Sequence, residues 1–336
     1  MSAEWLLNTA APVIRYRTLT ELMHETNHVL LQDALTAVLA LPQTQQRLSL
    51  LSNLDFNNTH GANSTCLENV LPMLGDLGLH YGMEVFNNAT KNIADISATV
   101  LGDDYDKLVA YPFLLRSKFP IAELLDFTIA RINTIYDFTR HMDFDIYDDI
   151  AGYKSVPKTF QDRPIIKPSI APGWDEIKLP LIYDIVAMAT AYKLVSTEIQ
   201  AKIDNIIEYV ISPKYDIVEP MYGIICTAPR KYKAMGWDCK KPFNDNQCYS
   251  NPNLQRLLLY ANFPTAVKSA WFQNAIDYLT QYKTAAGTYI FPKEYLIEKD
   301  CNWVLGTRMS LAENRRKKQW AEMESTFYML KLLTTK

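Results

Sequence analysis

Histidine and glycine are both scarce in this chain, and each scarcity excludes something. There are 5 histidines among 336 residues and none follows His141, so the second half holds no histidine-based metal site. Glycine numbers 11, few for a doubly wound α/β enzyme of this length. No glycine-rich phosphate loop, dinucleotide fingerprint or nucleophile elbow occurs, which leaves kinase, dehydrogenase and α/β-hydrolase readings without a sequence basis. The five cysteines, Cys66, Cys226, Cys239, Cys248 and Cys301, are odd in number and lack paired spacing. That argues against a disulfide framework and fits a reducing compartment. No apolar run approaches the ~20 residues of a membrane span. The basic excess of a nucleic-acid binder is missing too, with a net charge of -3 and a pI near 6.0. The opening Met1-Ser2-Ala3-Glu4-Trp5 has neither the basic start nor the apolar core of a signal peptide, so a cytoplasmic location is expected.

What the chain does have is helical periodicity. Hydrophobic residues make up 48% and charged residues 21%, the proportions of a well-packed soluble protein. Apolar residues recur at helical spacing over 17–41, 65–77, 83–101, 121–136, 180–192, 197–210, 268–282 and 313–333. Asn63-Ser64 and Asn251-Pro252 read as helix starts, and Gly78 as a stop. Pro157, Pro164, Pro168 and Pro172 mark a connection over 151–173 between two helical halves. Strand-like runs are few and short. The expected fold is all-α: one domain over 1–336, built of consecutive helical hairpins, roughly 45–60 residues per unit, a length at which solenoids and toroids occur.

One tripeptide occurs twice. Gly173-Trp174-Asp175 and Gly236-Trp237-Asp238 lie 63 residues apart, each followed by a proline, Pro180 or Pro242. With 11 glycines and 6 tryptophans in the chain, this points to repeated helical units. Three segments resemble the α/α-toroid superfamily of terpenoid cyclases, protein prenyltransferases and their bacterial relatives. They are Trp5-Leu6-Leu7 with Pro12-Val13-Ile14-Arg15-Tyr16-Arg17-Thr18-Leu19, the run Gln281 through Gly287 to Tyr289, and the tryptophan–proline–helix pattern after Trp174 and Trp237. The resemblance implies a complete or incomplete toroid with an apolar or cyclic small-molecule ligand in a central aromatic cavity. The aromatic content of 12% suits that cavity, and suits an ordinary core equally. The family's acid motif is not reproduced by Asp103-Asp104-Tyr105-Asp106 or by the acidic stretch from Asp143 to Asp149, and its zinc site lacks a late histidine.

Several residues are candidates for chemistry. At a toroid mouth, Asp175 and Asp238 would act as acid and base, with Trp174, Trp237 and Glu176 touching the ligand and Asp184 as an alternative carboxylate. Turn and helix-cap duty explains the same aspartates more simply. His60, in a polar loop before a helix, is a candidate base. His24-Glu25-Thr26-Asn27-His28 has zinc-peptidase spacing: on one helix His24 and His28 would share a face, Glu25 would be the base and Glu68 a third ligand. Two further readings stand beside the leading one, a carbohydrate-active toroid using two carboxylates and a non-catalytic helical scaffold.

Overall fold

The computed structural model describes residues 2–55, 58–91, 104–173, 176–236, 238–243 and 253–334. Among them are fourteen α-helices and one small sheet. The helices are α1 (Ser2–Thr9), α2 (Pro12–Arg17), α3 (His28–Leu39), α4 (Pro42–Ser52), α5 (Leu67–Asp76), α6 (Glu84–Ala89) and α7 (Asp104–Arg116) in the first part. They continue as α8 (Ala122–Thr139), α9 (Ile182–Ala191), α10 (Thr197–Ile211), α11 (Leu254–Tyr260), α12 (Pro264–Lys268), α13 (Ala270–Thr280) and α14 (Trp320–Thr334). The strands are β1 (Tyr147–Asp148), β2 (Ile165–Ile166), β3 (Ile224–Ala228) and β4 (Lys231–Ala234).

Two kinds of helix are present, and composition separates them. Helices α5, α9 and α11 bury 8 of 10, 8 of 10 and 6 of 7 residues. Such helices keep almost no solvent face and sit inside, although α5 carries Glu68 and Asn69 and α11 carries Gln255 and Arg256 among their buried residues. Helix α10 has one apolar stripe, Ile203, Ile206, Ile207 and Val210, and lies outside them against α8. The buried helices touch in sequence, α5 to α7, α7 to α9, α9 to α11, α11 to α14 and α14 to α2. A hydrogen bond of 2.8 Å from Arg17 Nη1 to the carbonyl of Asp76 then joins the end of α2 to the end of α5. Outside this series α4 packs on α5, and α8 on α7 and α9.

Local chemistry sets the helix ends. Ser196 caps α10 through Ile199 N, Ser269 caps α13 through Phe272 N, and Asn253 caps α11 through Arg256 N. The start expected at Asn251-Pro252 lies outside the described residues. Helix α5 begins at Leu67 after Cys66, and Asn63 instead closes a turn by accepting from Thr65 N. The 17–41 pattern is broken in two, because a π-helical turn over Thr18–Leu22 ends in a bend before α3. Of the 83–101 pattern, α6 is described and 92–103 lie outside the described residues.

The fold is largely helical, as expected, with one addition, a small four-stranded sheet in the order β1-β2-β3-β4. Prolines make much of 151–173 unfit for helix, and its Ile165–Ile166 pairs with β1 and, in parallel, with β3. Tyrosine contributes mostly to the core. Tyr215, Tyr222 and Tyr260 are fully buried, and their hydroxyls are satisfied by one another or by the carbonyls of Pro180 and Cys239.

Gly223 sits where the sheet meets the core, at φ +123. A Cβ there would stand 2.3 Å from the Pro164 carbonyl oxygen, which is also the acceptor for Ile224 N. Gly223→Ala is therefore expected to cost at least about 2 kcal/mol and to loosen the β2–β3 pairing. Chemical denaturation measures this; an unchanged midpoint would contradict it.

Candidate functional site

The residues singled out by sequence do not converge on one place. Trp174, Asp175 and Trp237 lie outside the described residues. Asp238 is 7% exposed, and its two carboxylate oxygens accept from Met221 N and Lys240 N, both at 2.7 Å. It fixes the turn that carries Met221 and Tyr222 at positive φ, which is the turn duty described above. Glu176 is exposed. Asp184 caps α9 through Leu181 N and forms a two-pronged pair with buried Arg131 at 3.1 and 3.0 Å. Arg131 also donates to the Ile177 carbonyl, so this carboxylate ties α8 to the start of α9.

The helix that the His24–His28 spacing requires is not there. His24 has φ 50, and α3 starts only at His28 with Asn27 as its cap. Glu25 accepts from the backbone of Thr26 and Asn27. Glu68 is committed elsewhere, against Tyr183 on α9. Among the described residues, no group of three or more His, Cys, Asp or Glu is arranged to hold a metal ion.

His60 and Glu68, by contrast, do meet. Glu68 is 1% exposed, in the first turn of α5. One carboxylate oxygen lies 2.8 Å from His60 Nδ1 and accepts from Gly61 N at 2.7 Å; the other accepts from Tyr183 at 2.5 Å. A carboxylate with this many partners is well satisfied despite burial. The next residue, Asn69, donates to the carbonyls of Gly61 and Asn63 and accepts from Trp303 N. Together they fasten the loop before α5 to α9 and to the 303–305 turn. Glu68→Ala would remove the acceptor shared by the half-buried Gly61 amide and the buried Tyr183 hydroxyl, which keeps its 3.2 Å contact with His60 Nδ1, so we expect a loss of about 2 kcal/mol. A change below about 1 kcal/mol in urea denaturation would show the cluster to be dispensable.

The other end of α5 opens on a cavity of about 220 Å³. Its wall takes the last residue of α2 (Arg17), of α5 (Asp76) and of α7 (Arg116), together with Thr190 near the end of α9, Leu259 near the end of α11 and Lys331 near the end of α14. Trp303, Arg308, Tyr328, Gln255 and Asn262 complete the polar and aromatic part. Helix C-termini carry partial negative charge, which favours the cations found there. Asp76 organises the centre: one oxygen accepts from Arg116 at 3.1 Å, the other from the Trp303 indole at 2.7 Å, and the Arg116 guanidinium lies over the Trp303 ring at 4.7 Å. Glu21 sits behind the wall and pairs with both Arg17 and Lys331. Sequence reading missed this set. Its signal, cations in the last turns of apolar helices, is common to many helices that bind nothing.

No family model, curated protein or solved structure matches the chain.

Burial opposes ionisation of Glu21, but Arg17 and Lys331 outweigh it and hold the carboxyl down at about 2, against an ordinary 4.5. A depressed carboxylate contributes stability that is present above the ordinary value and lost as pH falls toward the lowered one. Thermal stability should therefore decline between pH 4.5 and about 2, and Glu21→Gln should flatten that part of the decline. Parallel melting curves for the two proteins would refute the assignment.

Proposed function

We propose that the chain is an α/α-toroid protein, with the architecture that terpenoid cyclases and protein prenyltransferases share, and that it holds a small ligand in its central cavity. The observation that carries this reading is the cavity itself: six buried helices, each in contact with the next, contribute their C-terminal regions to one space of about 220 Å³. An ordinary helical core closes such a space with side chains. The Gly-Trp-Asp pair has no part in this reading, since Asp238 is taken up by its turn.

The wall also revises the ligand expected from the sequence. It is mostly polar, with Trp303 and Tyr328 as its aromatic members, so a polar ligand fits better than an apolar one. The tyrosine-rich core lies elsewhere. Binding is the activity the geometry supports, because the cavity's carboxylate, Asp76, is held by Arg116 and Trp303.

A thermal-shift screen of small polar metabolites tests the proposal. A ligand at about 100 times its Kd adds about 2.7 kcal/mol, enough to raise Tm by several degrees. Thr190, half-buried on the wall, can be enlarged without removing a charge. Thr190→Trp should fill the cavity, keep the fold and abolish the shift. If no compound stabilises the wild type, or if the variant responds equally, the proposal fails.

A further inference from the structure

The charges around the cavity do not balance. Its wall carries four cations, Arg17, Arg116, Arg308 and Lys331, against one carboxylate, Asp76. Two more carboxylates stand behind it: Glu21, shared by Arg17 and Lys331, and Asp300, shared by Arg308 and Arg47. Glu298 is 3.9 Å from Arg308 but pairs more closely, at 2.8 Å, with Arg315. Among the described residues, five cations thus share three dedicated carboxylates.

Helix ends supply some of the missing negative charge, roughly half a charge each and fading within a turn. That accounts well for Arg17, which donates to the Asp76 carbonyl. It accounts less well for Arg308, which lies outside any helix. The cations also burden one another. Burial pushes the Lys331 ammonium below its ordinary range, with Arg17 and Arg116 adding to the effect while Glu21 opposes it. Burial likewise lowers Arg116, with Arg17 adding while Asp76 and Glu21 oppose; burial also opposes the charge of Arg17, but Glu21 and Asp76 outweigh it and raise that group. Arg17 and Arg308 are buried and Arg116 and Lys331 half-buried, and such a set of mutually repelling cations around an open space is stabilised by a negative charge placed in that space. Guanidinium groups suit flat or tetrahedral oxyanions through paired N–H donors, and lysine adds a point charge. At about 220 Å³ the cavity lies at the small end for ligand sites, which favours a compact occupant.

We infer that the ligand of this cavity is a compact oxyanion, a phosphate or a small carboxylate, held by Arg116, Arg308 and Lys331 with Arg17 beside them. The inference rests on the cavity being a ligand site.

Calorimetric titration of the full-length protein with inorganic phosphate, succinate and its neutral diamide, succinamide, tests it. At least one of the two anions should bind with a Kd below about 1 mM. Affinity should fall as salt rises, and succinamide should bind at least tenfold more weakly than succinate. Whichever anion binds more tightly identifies the source of the charge. Thr190→Trp should abolish the binding with every charge left in place. Lys331→Met should weaken it tenfold or more; because that change also strips Glu21 of a partner, the Thr190 variant and the neutral analogue are the deciding measurements. Succinamide binding as tightly as succinate overturns the inference. So does anion binding that survives Thr190→Trp, and so does failure of both anions when a neutral compound fills the cavity. If no compound of either kind binds, the cavity-ligand reading falls as well.

Discussion

Helices that end at the same place must have their ends neutralised there. Each α-helix leaves its last carbonyls without intrahelical partners and carries partial negative charge at that end. Asp76 and Arg116 are the final residues of α5 and α7, Lys331 lies in the last turn of α14, and Arg17 lies where α2 passes into the π-helical turn. Gathering these ends around one space requires cations in the interior. Desolvating each cation costs several kcal/mol unless it is paired, so carboxylates are required in turn. Glu21, Asp76 and Asp300 meet that need, each on a different part of the chain. The pairs therefore determine which segments lie beside which. Asp76 with Trp303 draws the 303–305 turn onto α5, and Glu21 with Lys331 draws α14 onto the π-helical turn after α2.

Helix α5 transmits that arrangement. Its first turn holds Glu68 and Asn69, which fix the preceding loop, α9 and Trp303. Its last residue is Asp76 at the cavity. Both ends therefore reach Trp303, by its backbone N–H from one and by its indole from the other. The ring is packed edge-on by Phe113 of α7 and covered by Arg116. A single tryptophan in a short 3-10 turn thus ties α5 and α7 to a segment more than 180 residues away in sequence.

Much of the helical content was legible because apolar spacing reports a buried face directly. Residues 121–136 and 197–210 read as helices, and α8 and α10 are found there within a few residues. The boundaries at 17–41 were not legible. Leu19, Leu22, Val29 and Leu30 keep the spacing while the backbone bends at His24, since periodicity records which faces are apolar and not where the chain turns. The same bend separates His24 from His28, so a literal motif match had no helix to support it. His60 and Glu68 were each picked out, but for different chemistry. Their contact depends on Gly61 turning the loop back onto α5 at φ +139, which a residue pattern does not encode. The cavity was the least legible feature, since its charges come from helices that are distant in sequence and each is locally unremarkable.

The surplus of cations is what sets the cavity apart from the other charged clusters of the molecule. Arg131 has Asp184 to itself, with both oxygens engaged and a backbone carbonyl for its third bond. Lys241 pairs with Asp216 and donates to the Ser212 carbonyl. These are complete arrangements, and they lie where elements must be joined. A structural set gains nothing from being left short of negative charge, because each under-paired buried cation lowers stability. Departures from local rules concentrate at sites kept for function. Here the departure surrounds an open volume, and a negatively charged occupant would remove it.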